Sequence, residues 1–335
     1  MPRHAALTDP ANSLCFDLRQ LKGCITVEIK EIDYENFGNC VLITNGIIDV
    51  VVTIDFGPRI IRFGFSGKEN LFYNDVERLY KIPVEAPDTT DERCRMFYYY
   101  GGHRLWLSPE RSAKTVLPDN DAVVYSILPD GVRFLQPKQK TSNIQTGFEI
   151  IMGEDAADIM VVHTAKNCSK EPQPCGLWPI TMLEGDGVVI LPQNTDTNNA
   201  FRPNRTLVFW PGTDVRDERI FCGNRYLTLR KTSENDKPLK IGCNNVFGWA
   251  AFIGPHYTFM KRYVHNVQAV YPDFGSSCEV SLEKDFTEIQ SLSPMYRIEP
   301  GQGIKHVENF SVFQTRNSVD PKSEDGIAKY IENLK

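Results

Sequence analysis

Short runs of β-branched and aromatic residues, each closed by a turn, follow one another along most of this chain. "VVYSILPDGVRFLQP" (123–137) joins two such runs through Pro129-Asp130-Gly131, where glycine is free to take a positive φ. "FEIIMGEDAADIMVVHTA" (148–165) repeats the design, and "CITVEIKEI" (24–32) alternates Ile25, Val27 and Ile29 with Thr26, Glu28 and Lys30. "GVVILP", "TLVFWP", "RYLTLRK", "GWAAFIG", "TFMKRYV", "CEVSL", "FTEIQSL" and "HVENFSVFQ" continue the series. Helical spacing is clearest at the end, where Ile327, Tyr330, Ile331 and Leu334 share one face after Asp320-Pro321, a fitting N-cap and first turn. A chain so patterned predicts an all-β protein, a large antiparallel sandwich with a short C-terminal helix. No linker of biased composition divides it. The expected organisation is an N-terminal extension (1–22), one sandwich domain (23–316) and a helical tail (317–335).

Composition narrows the function classes. Its 335 residues suffice for a sizeable core without a metal or disulfide staple. A formal net charge of −6 argues against broad nucleic-acid binding. Nine scattered cysteines include no CxxC and no zinc-spaced partner histidine, so they read as reduced, buried small hydrophobes. Neither a metal nor a cofactor is expected. The opening residues have no apolar signal core, and no apolar run reaches the ~18–20 residues of a membrane span. A cytoplasmic location is therefore expected, with no nucleic acid or membrane as partner; the sequence leaves the oligomeric state open. Phosphate-loop, dinucleotide, nucleophile-elbow and HExxH motifs are all missing.

Site-type residues gather in a few segments. "GGHRLWLSPE" (101–110) places His103, Arg104, Trp106 and Glu110 after two glycines, whose bare backbone suits close approach to a ligand. "LPDN" adds Asp119, "CGLWPITMLEG" sets Trp178 before a proline, and "NRTLVFWPGTDVRDERI" contributes Arg205. Sugars present C–H faces and hydroxyl rims, which Trp stacks upon and Asp, Glu, Arg and His hold. Arg59, after Gly57-Pro58, reads as a structural or rim residue rather than a ligand contact. In "FTEIQSL", Phe286, Glu288, Gln290 and Leu292 share one strand face, so a carboxylate stands among apolar neighbours.

Taken in order, these segments resemble the galactose-mutarotase-like superfamily, the β-supersandwich shared by aldose 1-epimerases. The nearer likeness is to a branch with a GGHRLW-x-x-PE signature, here Gly101 to Glu110, and it covers roughly residues 25–315. "NGIIDVVVTIDFGPRI", "PLKIGCNNVFGWAAF", "YPDFGSSCEV" and "EPGQGIKHVENFSVF" belong to the same ordered set. The resemblance implies a carbohydrate-active protein that takes a small sugar or oligosaccharide in a concave groove. It implies Glu288 as general base, in a Glu-x-Gln context with Gln290. Epimerases pair that base with an acid histidine, and Trp178 stands where that histidine is expected. A Trp N–H donates a hydrogen bond but cannot protonate a ring oxygen. His103 is then the candidate acid, with His163 as the alternative, and Arg104, Trp106, Glu110, Asp119, Trp178, Arg205 and Gln290 are expected sugar contacts. Three readings stay open: an epimerase-like isomerase, a non-catalytic sugar-binding or sensing protein, and a lyase or hydrolase in which Arg104 or Arg205 neutralises a uronate.

Overall fold

Alternation of apolar and polar residues gives each strand two faces, and stacking two sheets buries one face of each. A computed structural model describes residues 27–84, 95–110, 118–198 and 201–334. The expected N-terminal extension lies outside these residues. Among them, the first sheet has eleven antiparallel strands. In spatial order it runs β1 (Glu28–Asp33), β2 (Asn39–Thr44), β3 (Ile48–Thr53), β4 (Ile60–Phe65), β7 (His103–Ser108) and β12 (Gln173–Glu184), then β21 (Phe286–Ser291), β20 (Cys278–Leu282), β17 (Leu239–Cys243) and β14 (Leu207–Phe209). Here β22 (Tyr296–Ile298) also pairs with β12.

The second sheet runs β15 (Ile220–Cys222), β16 (Tyr226–Lys231), β13 (Gly187–Pro192), β18 (Trp249–Ile253) and β19 (Tyr257–Tyr263). It continues through β23 (Gly303–Gln314), β11 (Asp158–Asn167), β10 (Ile144–Met152), β9 (Gly131–Leu135) and β8 (Val124–Leu128). A ribbon of β5 (Lys81–Pro83) and β6 (Met96–Tyr98) stands apart. The fold is thus the large antiparallel β-supersandwich expected from the strand pattern.

Phenylalanine rings lock the sheets together. Phe63 on β4 meets Phe259 on β19 and Phe310 on β23, each with ring centroids 6.0 Å apart, and Phe72 joins them at 5.8 and 6.3 Å. These edge-on contacts lie within the main hydrophobic cluster between the sheets. The C-terminal helix α1 (Glu324–Glu332) lies outside the second sheet, where Ile327 packs on Ile190 and Ile253. Its N-cap is Ser323, which accepts from the Gly326 N–H, rather than Asp320. Asp320 instead closes the preceding turn by accepting from the Lys322 N–H. The cysteines among the described residues carry no disulfide.

The glycine pair that opens the signature serves the backbone, not a ligand. Gly101 and Gly102 have φ of 96° and 70°, where a Cβ is strained. A Cβ on Gly101 would lie 2.1 Å from the Tyr73 carbonyl oxygen, and one on Gly102 2.2 Å from that of Ile60. Two chain segments cross there without room for a methyl. Gly102→Ala should lower stability by at least roughly 1–3 kcal/mol, read as a drop in the urea midpoint. A midpoint equal to wild type would contradict this close crossing.

Candidate functional site

The outer face of the first sheet, away from the core, collects polar residues that four strands present in register. On β12, Trp178, Ile180 and Met182 point outward while Leu177 and Leu183 join the core. Cross-strand pairing sets Trp106 beside Trp178, Arg104 beside Ile180, and Gln290 and Glu288 beside Ile180 and Met182. Glu279 and Ser281 pair next with Gln290 and Glu288. Phe286, Glu288, Gln290 and Leu292 share the face predicted for them.

A relay of hydrogen bonds holds Glu288. The Trp178 indole N–H donates to Gln290 Oε1 (2.9 Å), and Gln290 Nε2 donates to Glu288 Oε2 (2.6 Å). Because the indole only donates, the amide orientation follows: its oxygen must face Trp178 and its NH2 the carboxylate. Arg104 Nη2 lies 3.9 Å from Glu288 Oε1. The guanidinium packs against the rings of Trp106, Phe97 and Tyr99 at 4.8, 5.4 and 5.5 Å, and its Nε has no partner. Burial pulls Arg104 down to about 10.

One cation and two acids from neighbouring segments are not apparent in the sequence. Lys240 pairs with Glu279 at 2.6 Å and sits over the rings of Trp178 (4.9 Å) and Trp210 (4.4 Å). Glu283 is half-buried just beyond the end of β20, where its N–H donates to the Phe286 carbonyl on the strand of Glu288 (2.9 Å). Burial, reinforced by the Glu288 charge, pushes Glu283 up to about 7 against the pull of Lys240. The available signal was the period-two spacing of Glu279, Ser281 and Glu283 opposite "FTEIQSL".

Several expected contacts have other work. Asp119 is taken by Arg59, whose Nε and Nη2 reach its two oxygens at 2.7 and 2.8 Å. That fully buried arginine also donates to the carbonyls of Tyr98 and Tyr99, tying the β6 ribbon down so that Phe97 stacks on Trp106 at 5.1 Å. Asp119 therefore supports the wall of the site and is not free to meet a ligand. Trp178 faces outward as expected, yet only 5% of it is exposed, because Trp106 stacks on it and Lys240 covers it. It orients Gln290 and is not an open stacking platform. Glu110 is exposed, near enough to Tyr99 to help burial raise its hydroxyl. Arg205 is exposed and donates to the Asn224 carbonyl (3.3 Å).

His103 requires a correction. It neighbours Arg104 on a strand, so it must point to the opposite face, and it lies fully buried between the sheets. There its Nδ1 meets Thr181 Oγ1 at 2.8 Å. Its Nε2 lies 3.2 Å from His163 Nε2 and 3.5 Å from Glu308 Oε2, and His163 Nε2 lies 3.1 Å from that same oxygen. Lys261 Nζ and Ser291 Oγ hold Glu308 Oε1 at 2.9 and 2.7 Å, and His306 Nε2 donates to Ser291. Burial drives His103 well below its ordinary 6.5 and lowers His163. Burial alone would raise Glu308, but Lys261 and His163 outweigh it and hold the carboxyl well below the usual range. His103 does not meet Glu288.

Glu283 makes a pH prediction. An unfolded chain releases this proton near the ordinary 4.5, whereas the folded chain holds it to about 7. Between those values the native state binds more protons, so this contribution to stability is present at low pH and lost as pH rises towards 7. Glu283→Gln should therefore narrow the fall in Tm between about pH 5 and about pH 8. An unchanged fall, measured by circular dichroism, would refute the held proton.

No protein-family model and no curated protein matches the sequence. Solved structures do. A TPR-domain containing protein from Parabacteroides distasonis superposes with a TM-score of 0.58 at 13% identity, over 85% of this chain and 48% of its own. The chain thus spans about half of that protein. A galactose mutarotase-like protein from Lactobacillus casei gives 0.52 at 12% identity, over 82% of this chain and 100% of its own. A putative aldose 1-epimerase from Escherichia coli K12 gives 0.51 at 11%, over 87% and 100%. No helix among the described residues is long and apolar enough to cross a membrane.

Proposed function

From this galactose mutarotase-like fold, we propose that the chain binds a small sugar on the outer face of its first sheet and inverts its anomeric carbon. The observation that carries the reading is the Glu288 carboxylate, oriented by Gln290 and Trp178 beside the cation of Arg104, on the sheet face walled by Phe97, Tyr99 and Trp210. Glu288 takes the proton of the anomeric hydroxyl while an acid protonates the ring oxygen. The C1–O bond then breaks, the open-chain aldehyde rotates, and both transfers reverse on closure. Each group ends as it began.

His103 faces the other way, and Glu283 takes the acid's part in this reading. It directly follows β20, its N–H donates to the Phe286 carbonyl on the strand of Glu288, the Glu288 charge reaches it, and it keeps its proton to about 7. Two carboxyls in unequal surroundings then divide the acid and base roles. Turnover should accordingly decline as pH rises above about 7.

Anomer exchange followed by NMR across a panel of common aldoses tests the reading. Glu288→Gln keeps shape but cannot accept the proton, so exchange should fall ~10²–10⁴-fold with sugar affinity retained. Exchange no faster than the spontaneous rate in wild type, with binding intact, would make this a sugar-binding protein without turnover. Uronide cleavage would favour a lyase or hydrolase. Trp178→Phe preserves the ring stack but strands Gln290 Oε1 without its donor. It should cost roughly tenfold in kcat with little change in KM, and a loss confined to KM would instead mark Trp178 as a sugar contact.

A further inference from the structure

The interior cluster that captures His103 is more than a polar bridge. Its three converging atoms, His103 Nε2, His163 Nε2 and Glu308 Oε2, form a triangle with sides of 3.2, 3.1 and 3.5 Å. Ligands at the ~2.0–2.2 Å bonds of a first-row divalent ion stand roughly 3–3.5 Å apart around it. Both imidazoles aim Nε2 at the same carboxylate oxygen, so three donor atoms of metal-ligating type converge on one point. Among the described residues, this is the one grouping of His, Cys, Asp and Glu with such geometry.

We infer that His103, His163 and Glu308 bind a first-row divalent metal ion, zinc by preference, which clamps the two sheets together. Two imidazoles and one carboxylate suit zinc and its neighbours and suit calcium or magnesium poorly. The surroundings are arranged for such ligands. Thr181 Oγ1 can accept from Nδ1–H of His103, which turns the Nε2 lone pair to the centre. Lys261 and Ser291 occupy Oε1 of Glu308 and leave Oε2 to face the imidazoles. His103 comes from the first sheet, and His163 and Glu308 come from the second. The edges of Phe310 and Phe148 close on the two imidazoles at 4.9 and 5.9 Å. All three ligands are fully buried, so a substrate has no approach and the role is structural, the fourth position of the zinc tetrahedron falling to a water rather than to a protein group. This site is independent of the outer-face chemistry.

The test uses the full chain, unfolded and refolded with either zinc or a chelator, then dialysed and assayed for metal by mass spectrometry. Wild type refolded with zinc should retain about one ion per chain, as structural zinc sites do, and should melt at a higher temperature than the chelated form. Cobalt in its place should give the visible absorption bands of a low-symmetry, nitrogen-ligated ion. A combined His103→Gln and His163→Gln variant should lose both the ion and the metal-dependent part of the melting temperature. Thr181→Val should weaken retention ~10–100-fold, the usual effect of removing a supporting contact. The inference is overturned if wild type retains no zinc, cobalt or manganese, if its melting temperature is the same with and without metal, or if the double variant retains as much as wild type. Should that variant fail to fold, the wild-type stoichiometry and its chelator dependence decide the matter.

Discussion

Everything distinctive about this molecule depends on one pleat. His103 and Arg104 are consecutive residues of a single strand, and the alternation of a sheet sends them to opposite sides. One enters the buried interior, where it meets His163 and Glu308. The other lies under aromatic rings on the outer face, beside Glu288. The first sheet therefore carries polar chemistry on both surfaces, unlike a sheet with one face in the core and the other in water. Such burial is tolerable only because most of the groups are paired: Arg59 with Asp119, Lys261 with Glu308, Lys240 with Glu279.

Trp178 occupies the position where the resemblance leads one to expect an acid, and an indole cannot serve as one. What it supplies is direction. Its single N–H fixes the Gln290 amide, which in turn fixes the Glu288 carboxylate, so the aromatic ring acts at one remove from any ligand. Arg59 acts from still further away. Its fork fixes the ribbon that carries Phe97, and that ring covers Trp106.

The sequence disclosed the fold because strand period and turn chemistry are local. "LPDG" and the alternation around Glu288 announce a hairpin and a half-polar strand without knowledge of any neighbour. The sheet face of Glu288, Gln290 and Leu292 was legible for the same reason. The site's other members were not, since Lys240, Glu279 and Glu283 reach it through cross-strand register, which no local pattern encodes. The density of site-type residues in "GGHRLW" does not show that His103 and Arg104, adjacent on one strand, cannot share a face. His163 and Glu308 stand sixty and 205 positions from His103, and only the packing of one sheet on another brings them together.

The crowded crossing at Gly101 and Gly102 has a consequence for how such a chain can vary in length. Because the backbone there is wedged against Tyr73 and Ile60, the start of the following strand is anchored to its neighbours. An extra residue inserted just after the anchor would exchange the two sides of the strand, delivering a guanidinium to the interior and an imidazole to the outer face. Two extra residues would restore both environments. Insertions and deletions at this point are thus constrained by parity, even or none, where an ordinary surface loop would accept any number.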